Sequence, residues 1–549
     1  MKIICRKSNL SKAQGQLARQ ILMQHFPDVS IDFLYKKTSG DLDQTTPLYQ
    51  MVDKNVFSSD IDAALLKGSA DFAVHSLKDV GAERLLNEGA FVSAVFERDL
   101  PHDIVVFKAN ILEKIKKNRP PEEKSGQAIR IGTSSLRREE LTPSFLQKAL
   151  PIFDNSTKEK PIIEIKPIRG NVETRLRKLV HGADYDGIVL AAAALNRLLK
   201  SAFFKEVTSL LKGTLKMWLP LVECPPALGQ GALLIECLKT NERGVEMLKT
   251  IDNQQLKTQL LAERAATLDF GKGCHQRYGA VFIENKEGGN CVISAGKTAD
   301  GHSANRFVFD VDERLIGKKI VSATDFMRDF FDYKFYEKDQ IIRDFCSLRS
   351  QKEERWFIFR ALPEKQTTFP FLLRAKRVNS SFFIAHHRAV TDEIVPILSG
   401  NKNWVSGTKT WFELAKKGIW VEGCADGFGI DFLENVWQSP LANISEKELI
   451  VLTNEDSAHD WQHEGRKAIA TYRLIPNSSA GLIVALQSAE VIFWTSFKQF
   501  EACKQFTTEG VIHACPAGKT ARKLVELGLK PAIFPSIKAF LNVQMQLSA

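Results

Sequence analysis

Six arginines, Arg6, Arg137, Arg138, Arg169, Arg175 and Arg197, each stand in or beside an expected strand-to-helix loop or helix start. A guanidinium stays charged and grips a carboxylate through paired hydrogen bonds, and a helix N-terminus adds donors and a favourable dipole. A cleft lined this way suits a ligand carrying several carboxylates. On spacing alone the same residues would serve as solvated surface ion pairs, each worth little. Asp79 follows Lys78 after a buried-looking strand. A carboxylate there would steady a cation or carry protons, or merely cap the next segment. Cys274 closes the loop Gly271-Lys272-Gly273-Cys274, where glycine lets the backbone present a side chain freely. Its thiolate would be a nucleophile or an attachment point; a buried apolar cysteine is the plainer alternative. Ala517-Gly518-Lys519-Thr520 imitates the end of a phosphate loop, but the upstream position is His513 rather than glycine and the pattern fails.

The elements that must position these groups alternate between strand-like and helix-like over the first 220 residues, the pattern of an α/β domain with a largely parallel sheet. Strands are expected at Ala70–Val74, Ala128–Gly132, Ile162–Ile168 and Tyr185–Leu190. Thr133, Ser134 and Ser135 are expected to cap the helix carrying Arg137 and Arg138, and a helix should run from Val172 to near Gly182. Open α/β sheets place ligands at such strand ends. Residues 255–270 look helical, and strand-like stretches near 279–284 and 305–310 suggest a smaller α/β lobe. Arg349–Arg355 is charged and lacks apolar residues, as a linker would. Beyond it, Thr410–Gly418 and Thr520–Gly528 match at an offset of 110, and Phe383-Ile384-Ala385-His386 falls on Phe493-Trp494-Thr495-Ser496. Two similar lobes of about a hundred residues would explain this.

At 549 residues, with 44% hydrophobic and 26% charged side chains, the chain has room for several cores. No apolar run approaches the roughly 18 residues of a membrane span, and Met1–Arg6 begins no signal-peptide core. Nine cysteines without a CxxC pair argue against a zinc site or a disulfide framework. The expected location is the cytoplasm, with no membrane partner. Of the net charge of +10, residues 351–549 carry +3 and residues 1–350 carry +7. No aromatic interleaving or nucleic-acid motif accompanies that excess, so small anionic substrates are expected rather than DNA or RNA.

Residues 1–340 resemble hydroxymethylbilane synthase, also called porphobilinogen deaminase, through ordered motifs. They are Arg6-x-Ser8-x-Leu10 with Gln14, Thr38-x-Gly40-Asp41, Ala70-Asp71-x-Ala73-Val74-His75-Ser76-x-Lys78-Asp79 and Gly132-Thr133-Ser134-Ser135-Leu136-Arg137-Arg138. Arg169-Gly170-Asn171-Val172-x-Thr174-Arg175-Leu176, Gly229-Gln230-Gly231-Ala232, Ala262-Glu263-Arg264-Ala265 and Gly273-Cys274 complete the set. The resemblance implies a three-lobed α/β enzyme: two lobes like periplasmic binding proteins (about 1–95 with 200–220, and 96–199) and a small α/β lobe (225–340). It implies a dipyrromethane cofactor on Cys274, held by Lys78, Thr133, Ser134, Ser135, Arg137 and Arg138. Asp79 would stabilise the cation formed as porphobilinogen loses ammonia. Arg6, Ser8, Gln14, Arg169, Arg175 and Arg197 would hold the carboxylates of substrate and growing chain. Three departures stand out: Val52-Asp53-Lys54-Asn55-Val56-Phe57 replaces the family's glycine-rich lid, Val80-Gly81 replaces Val-Pro, and His275-Gln276-Arg277-Tyr278 after Cys274 lacks the usual proline.

Residues 356–549, after a linker at 341–355, resemble uroporphyrinogen-III synthase. The carrying pieces are Thr471-Tyr472-Arg473, Val491-Ile492-Phe493-x-Thr495-Ser496 and Gly518-Lys519-Thr520-Ala521, with Gly528 and Pro535. That resemblance implies a two-lobed α/β domain in which Tyr472 assists loss of the terminal hydroxyl of hydroxymethylbilane. Thr495, Ser496 and Thr520 would contact its carboxylates. Ala385-His386 replaces Thr-Ser in the first lobe. The whole is expected to be a monomeric bifunctional enzyme without a metal. The alternatives are a degenerate C-terminal half, or a binding protein or sensor for a polycarboxylate.

Overall fold

The computed structural model describes residues 1–38, 58–117, 128–153, 160–270, 277–310, 312–315, 320–324, 354–357, 359–363, 380–476 and 480–542. The expected lid at 52–57, Cys274 and most of the expected linker lie outside these residues. The fold is mixed α/β with five sheets among the described residues. Two compact units divide the chain. One comprises Met1–Phe282, Ile293–Asn305 and Asn435–Asn443; the other comprises Ile283–Val292, Arg306–Glu434 and Ile444–Ala549.

In the first unit, one five-stranded sheet runs in the order Asp32–Lys36, Lys2–Arg6, Phe72–Ser76, Ala232–Leu238, Phe91–Arg98. The first three strands are parallel, and Ala232–Leu238 lies antiparallel to both of its neighbours. The second sheet runs Ile163–Lys166, Ile129–Gly132, Gly187–Ala191, Asp103–Phe107, Leu215–Trp218, again with one strand, Asp103–Phe107, antiparallel to both neighbours. The expectation of a largely parallel sheet is thus met only in part. The expected return to the first lobe through 200–220 is also displaced. Leu215–Trp218 completes the second sheet, and the chain recrosses afterwards to place Ala232–Leu238 in the first. Gly231 makes that recrossing at φ +89, and a Cβ there would stand 2.2 Å from the Asp99 carbonyl oxygen, so only glycine fits.

Local sequence explains the elements. Ser8 caps the helix Asn9–His25, its side chain accepting from the Ser11 amide, while Ala13, Ala18 and Leu22 form the buried stripe. Asn171 caps Val172–His181 through the Thr174 amide, and Lys178 and His181 face the negative end of the dipole in its last turn. Ile104, Val105, Val106 and Phe107 are fully buried in the second sheet. Each such side chain withdrawn from water contributes about 1.5–3 kcal/mol. A three-stranded sheet of Tyr278–Ile283, Cys291–Lys297 and Ser303–Val308 follows; its central strand was not anticipated.

The second unit holds two sheets that embody the repeat. Ser381–Ile384, Lys402–Val405 and Gly423–Cys424 pair in parallel in that order, as do Val491–Trp494, Ile512–Pro516 and Ala532–Phe534. The first two strands of each trio begin 110 positions apart, at 381 and 491 and at 402 and 512. Helices Thr408–Lys416 and Lys519–Glu526 occupy corresponding places. The strand Ile320–Thr324, N-terminal to the expected boundary at 340, pairs in parallel with Val491–Trp494 and with Glu354–Phe357. Glu354 and Arg355, expected in the linker, are therefore strand residues: the apolar Trp356 and Phe357 that follow extend a pairable segment.

Candidate active site

Asp79 ends the short 3-10 turn Leu77–Asp79, which follows the buried strand Phe72–Ser76. Leu77 is fully buried beneath Gly229, whose φ of +68 and missing side chain let the two segments meet. Lys78 donates to Gln230 Oε1 at 3.3 Å. Burial pushes its ammonium pKa down to about 8; Arg138 and Arg137 press the same way, and Asp79 and Asp103 oppose them. The two lobes of this unit thus bring Lys78, beside Asp79 in the turn after the first sheet's strand, into the field of Arg137 and Arg138 from the second.

Those two arginines share a partner that the sequence did not reveal. Asp103, fully buried, receives Arg137 Nη2 on one oxygen and Arg138 Nη2 on the other, both at 2.7 Å. Against the upward push of burial, the two guanidiniums hold its carboxyl well below the usual range. Gln230 Nε2 donates to the same carboxylate at 2.9 Å, so one amide joins Lys78 to the arginine pair. The Nη1 atoms reach backbone oxygens, Arg137 Nη1 that of Pro225 and Arg138 Nη1 that of Val189, while the two Nε atoms are buried without a hydrogen-bond partner among the described residues.

Arg169 and Arg175 flank Gly170 and the start of the next helix. Arg175 Nε donates to the Gly170 carbonyl at 2.8 Å. Burial, then the neighbouring charges of Arg138 and Arg169, depress its pKa to about 10, with only the Tyr185 phenol opposing. Arg138 and Arg169 thus stand close enough to Arg175 for their charges to press on it. Arg197, buried, donates to the Gly231 carbonyl at 2.6 Å and lies 3.4 Å from Glu97. It fastens the recrossing strand.

Several expected ligand-binding groups have jobs inside the protein. Ser134 Oγ donates to the Ile168 carbonyl at 2.9 Å and accepts from the Ile168 amide at 3.0 Å, tying two loops together. Thr133 is buried and accepts from the Ser135 amide. Ser135 occupies the N-cap position of Leu136–Ala149, but its side chain makes no capping bond, contrary to the expected capping role. Gln14, buried, donates to Ser76 Oγ at 2.9 Å, and the Ser8 hydroxyl accepts from the Ser11 amide as its helix cap. Arg6 ends the first strand, partly exposed. Glu263, also missed, is a buried hub: it receives Arg98 at 2.6 Å and the amides of Gly229 and Phe282.

In the second unit Tyr472 is buried on the strand Lys467–Pro476. Thr495 and Ser496 follow Val491–Trp494, and both address Gln499 Oε1, through the Thr495 hydroxyl at 2.9 Å and the Ser496 amide at 3.1 Å. Thr520 is buried in the first turn of Lys519–Glu526. His386 stands where Ser496 stands in the repeat, and it serves as a cap too: its Nδ1 accepts from the Arg388 amide at 3.2 Å.

The family model described as "Porphobilinogen deaminase, dipyromethane cofactor binding domain" matches residues 1–246. A probable porphobilinogen deaminase of Pyrobaculum islandicum is 31% identical over 340 residues, covering 62% of this chain and 99% of that protein. The porphobilinogen deaminase of Syntrophus aciditrophicus is 33% identical over 277 residues, covering 50% of this chain and 78% of the relative. Among solved structures, a mutant uroporphyrinogen III synthase of Thermus thermophilus covers 42% of this chain and 97% of its own at 14% identity and a TM-score of 0.28. A likeness at that score carries no argument, and the second unit is read from its own residues.

A mixed α/β unit whose two sheets deliver an acid, a lysine and an excess of buried arginines to one place defines an enzyme acting on polycarboxylates. The chain belongs to the porphobilinogen deaminase family. Porphobilinogen is its substrate, the matched domain is one that binds a dipyrromethane cofactor, and the solute-binding alternative falls. No helix among the described residues is long and apolar enough to cross a membrane.

Proposed function

We propose that residues 1–340 condense four porphobilinogens into hydroxymethylbilane on a dipyrromethane held by Cys274, and that residues 356–549 close that product to uroporphyrinogen III with loss of water. The observation that carries the first part is that two buried guanidiniums, those of Arg137 and Arg138, share the one carboxylate of Asp103, and the Nε of each has no hydrogen-bond partner among the described residues. Unbalanced buried cations cost stability unless anions answer them, and each pyrrole brings an acetate and a propionate. Arg137, Arg138 and Lys78 therefore fit the cofactor and would hold its carboxylates, while Thr133, Ser134 and Ser135 would shape the loop that precedes the arginines' helix. When bound, the cofactor supplies the pyrrole end to which the chain is extended.

Asp79 faces the step in which porphobilinogen sheds ammonia. Its carboxylate would stabilise the positive charge that develops on the substrate and would hold the proton released from pyrrole. Arg6, Arg169, Arg175 and Arg197 would neutralise the lengthening chain, and the Ser8 hydroxyl and Gln14 amide would add hydrogen-bond donors to it. Bidentate guanidiniums suit a ligand whose carboxylates shift position with each addition.

Support for the second activity is the pair of repeated lobes with Thr495, Ser496 and Thr520 after parallel strands and Tyr472 buried on its strand. Tyr472 would assist departure of the terminal hydroxyl.

The test is intact mass and turnover of wild type and Cys274→Ser. Wild type should carry the mass of a dipyrromethane; the serine variant should lack both adduct and activity, since a hydroxyl is a poorer nucleophile than a thiolate. Full activity in Cys274→Ser would overturn the tethered reading.

A further inference from the structure

Flanking the Asp79 turn in sequence is a cluster of three charged side chains and a histidine that none of the steps above uses. His75, Glu236, Asp62 and Arg84 come from four different elements: the strand Phe72–Ser76, the strand Ala232–Leu238, the helix Ser59–Leu66 and the 3-10 turn Ala82–Arg84. Glu236 is fully buried; His75 is nearly so, and Arg84 and Asp62 are largely covered. Arg84 Nη1 reaches both oxygens of Glu236, at 2.8 and 3.0 Å, and Arg84 Nη2 reaches Asp62 Oδ2 at 2.6 Å. His75 Nε2 lies 3.2 Å from Glu236 Oε1. The Arg84 guanidinium also stacks over Phe91, 4.4 Å from the ring centre, and its carbonyl accepts from Ser93 Oγ.

The ligand atoms of Asp62, His75 and Glu236 lie within 4.8 Å of one another, a spacing that would admit a metal ion. Arg84 already takes Asp62 Oδ2 and both oxygens of Glu236, so the cation of this cluster is built in. The cluster grips the chain at two points, His75 and Arg84, and between them runs the turn that presents Lys78 and Asp79. A carboxylate meant to meet a developing charge must hold its place within a fraction of an ångström. Leu77 and Val80 bury the two flanks of that turn and the Val80 carbonyl accepts from Arg264 at 3.3 Å, so the cluster adds a charged grip at its ends to the packing beneath it.

We propose that Arg84 is a positioning residue for Asp79, fixing the turn at 77–79 by joining Glu236 and Asp62 as a guanidinium clamp. The clamp rests on the reading of Asp79 given above. It acts on the chemical step and leaves the carboxylate-binding arginines alone.

The experiment compares full-length Arg84→Ala, Arg84→Lys, Glu236→Gln and Asp79→Asn, each checked for its cofactor by intact mass and for folding by thermal melt. Arg84→Ala should lose about 10- to 100-fold in kcat, the order that misplacement by about 1 Å carries, with KM for porphobilinogen within about twofold. Arg84→Lys, which keeps the charge and reaches one carboxylate, should recover a large part, and millimolar guanidinium chloride should partly restore Arg84→Ala. If Arg84→Ala fails to fold, the kcat and KM of Arg84→Lys and Glu236→Gln decide alone, with kcat reduced and KM held as the supporting result. Wild-type kcat in folded Arg84→Ala, or a loss confined to KM, overturns the clamp. An active Asp79→Asn overturns the reading of Asp79 itself, whatever Arg84 does.

Discussion

Lys78 shows how a site prepared for anions behaves before they arrive. Its pKa of about 8 lies below the ordinary lysine value because burial and two neighbouring arginines disfavour the charge. A lysine depressed in the folded state lowers stability while both states are protonated, below about pH 8; that cost fades as pH rises through 8 toward the unfolded value near 10.4. The cofactor-free protein, made as Cys274→Ser, should therefore melt at a higher temperature at pH 9 than at pH 7. Lys78→Met in that background should flatten the rise. An added polycarboxylate should supply at pH 7 what high pH supplies otherwise. A melting curve insensitive to pH between 7 and 9 in Cys274→Ser, with or without Lys78, would mean that the lysine's charge is already answered.

At the scale of elements, Asp103 does most to join the second sheet to the helix that bears Arg137 and Arg138. Removing one member of a buried ionic group leaves the others uncompensated, at about 3–5 kcal/mol. Asp103→Asn should thus shift the denaturant midpoint sharply, far more than Arg175→Leu, which removes a cation from a crowd of cations. Equal midpoints for Asp103→Asn and wild type would dissolve the network. Neither Asp103 nor Gln230 nor Glu263 could be assigned from the sequence, and the reason is physical. Arg138 and Asp103 are 35 positions apart, Gln230 and Asp103 are 127, and Arg84 and Glu236 are 152. No local period reports such pairings. What periodicity and capping do report came through well: the strand expected at Ala128–Gly132 is Ile129–Gly132, and the helix expected from Val172 stops at the Gly182 cap. The offset of 110 survives as paired strands because duplicated cores keep their spacing. The recrossing through Ala232–Leu238 was misplaced because a buried strand reads alike in either lobe.

For the whole molecule, the proposed second activity on the same chain would hold its site at an effective concentration on the order of a millimolar relative to the product of the first. Hydroxymethylbilane left in water closes to the type I ring, so rapid capture sets the isomer formed. The intact chain should yield mostly type III porphyrin from porphobilinogen, read by chromatography after oxidation. Mixing full-length Cys274→Ser with full-length Tyr472→Phe at micromolar concentration, so that each lacks one proposed activity, should yield more type I. Only type I from the intact chain would show that the second unit is no synthase; a mixture matching the intact chain would deny the tether any kinetic role. Full-length variants suit this test because the strand Ile320–Thr324 completes the sheet of Val491–Trp494, and a cut near residue 345 would tear it away.

All seven described cysteines are buried, spread over both units. Burial pushes the thiols of Cys5, Cys237, Cys291 and Cys515 up to about 12, and that of Cys503 to about 11. Thiolate is scarce at such values near neutral pH, so an alkylating reagent must wait for a core to open before it can react. Cys5 and Cys237 lie in the first sheet, whereas Cys515, on the strand Ile512–Pro516, and Cys503, at the end of the helix Phe497–Cys503, share a core of the second unit. Timed alkylation, read peptide by peptide, would make these thiols independent clocks for the breathing of each end of the chain.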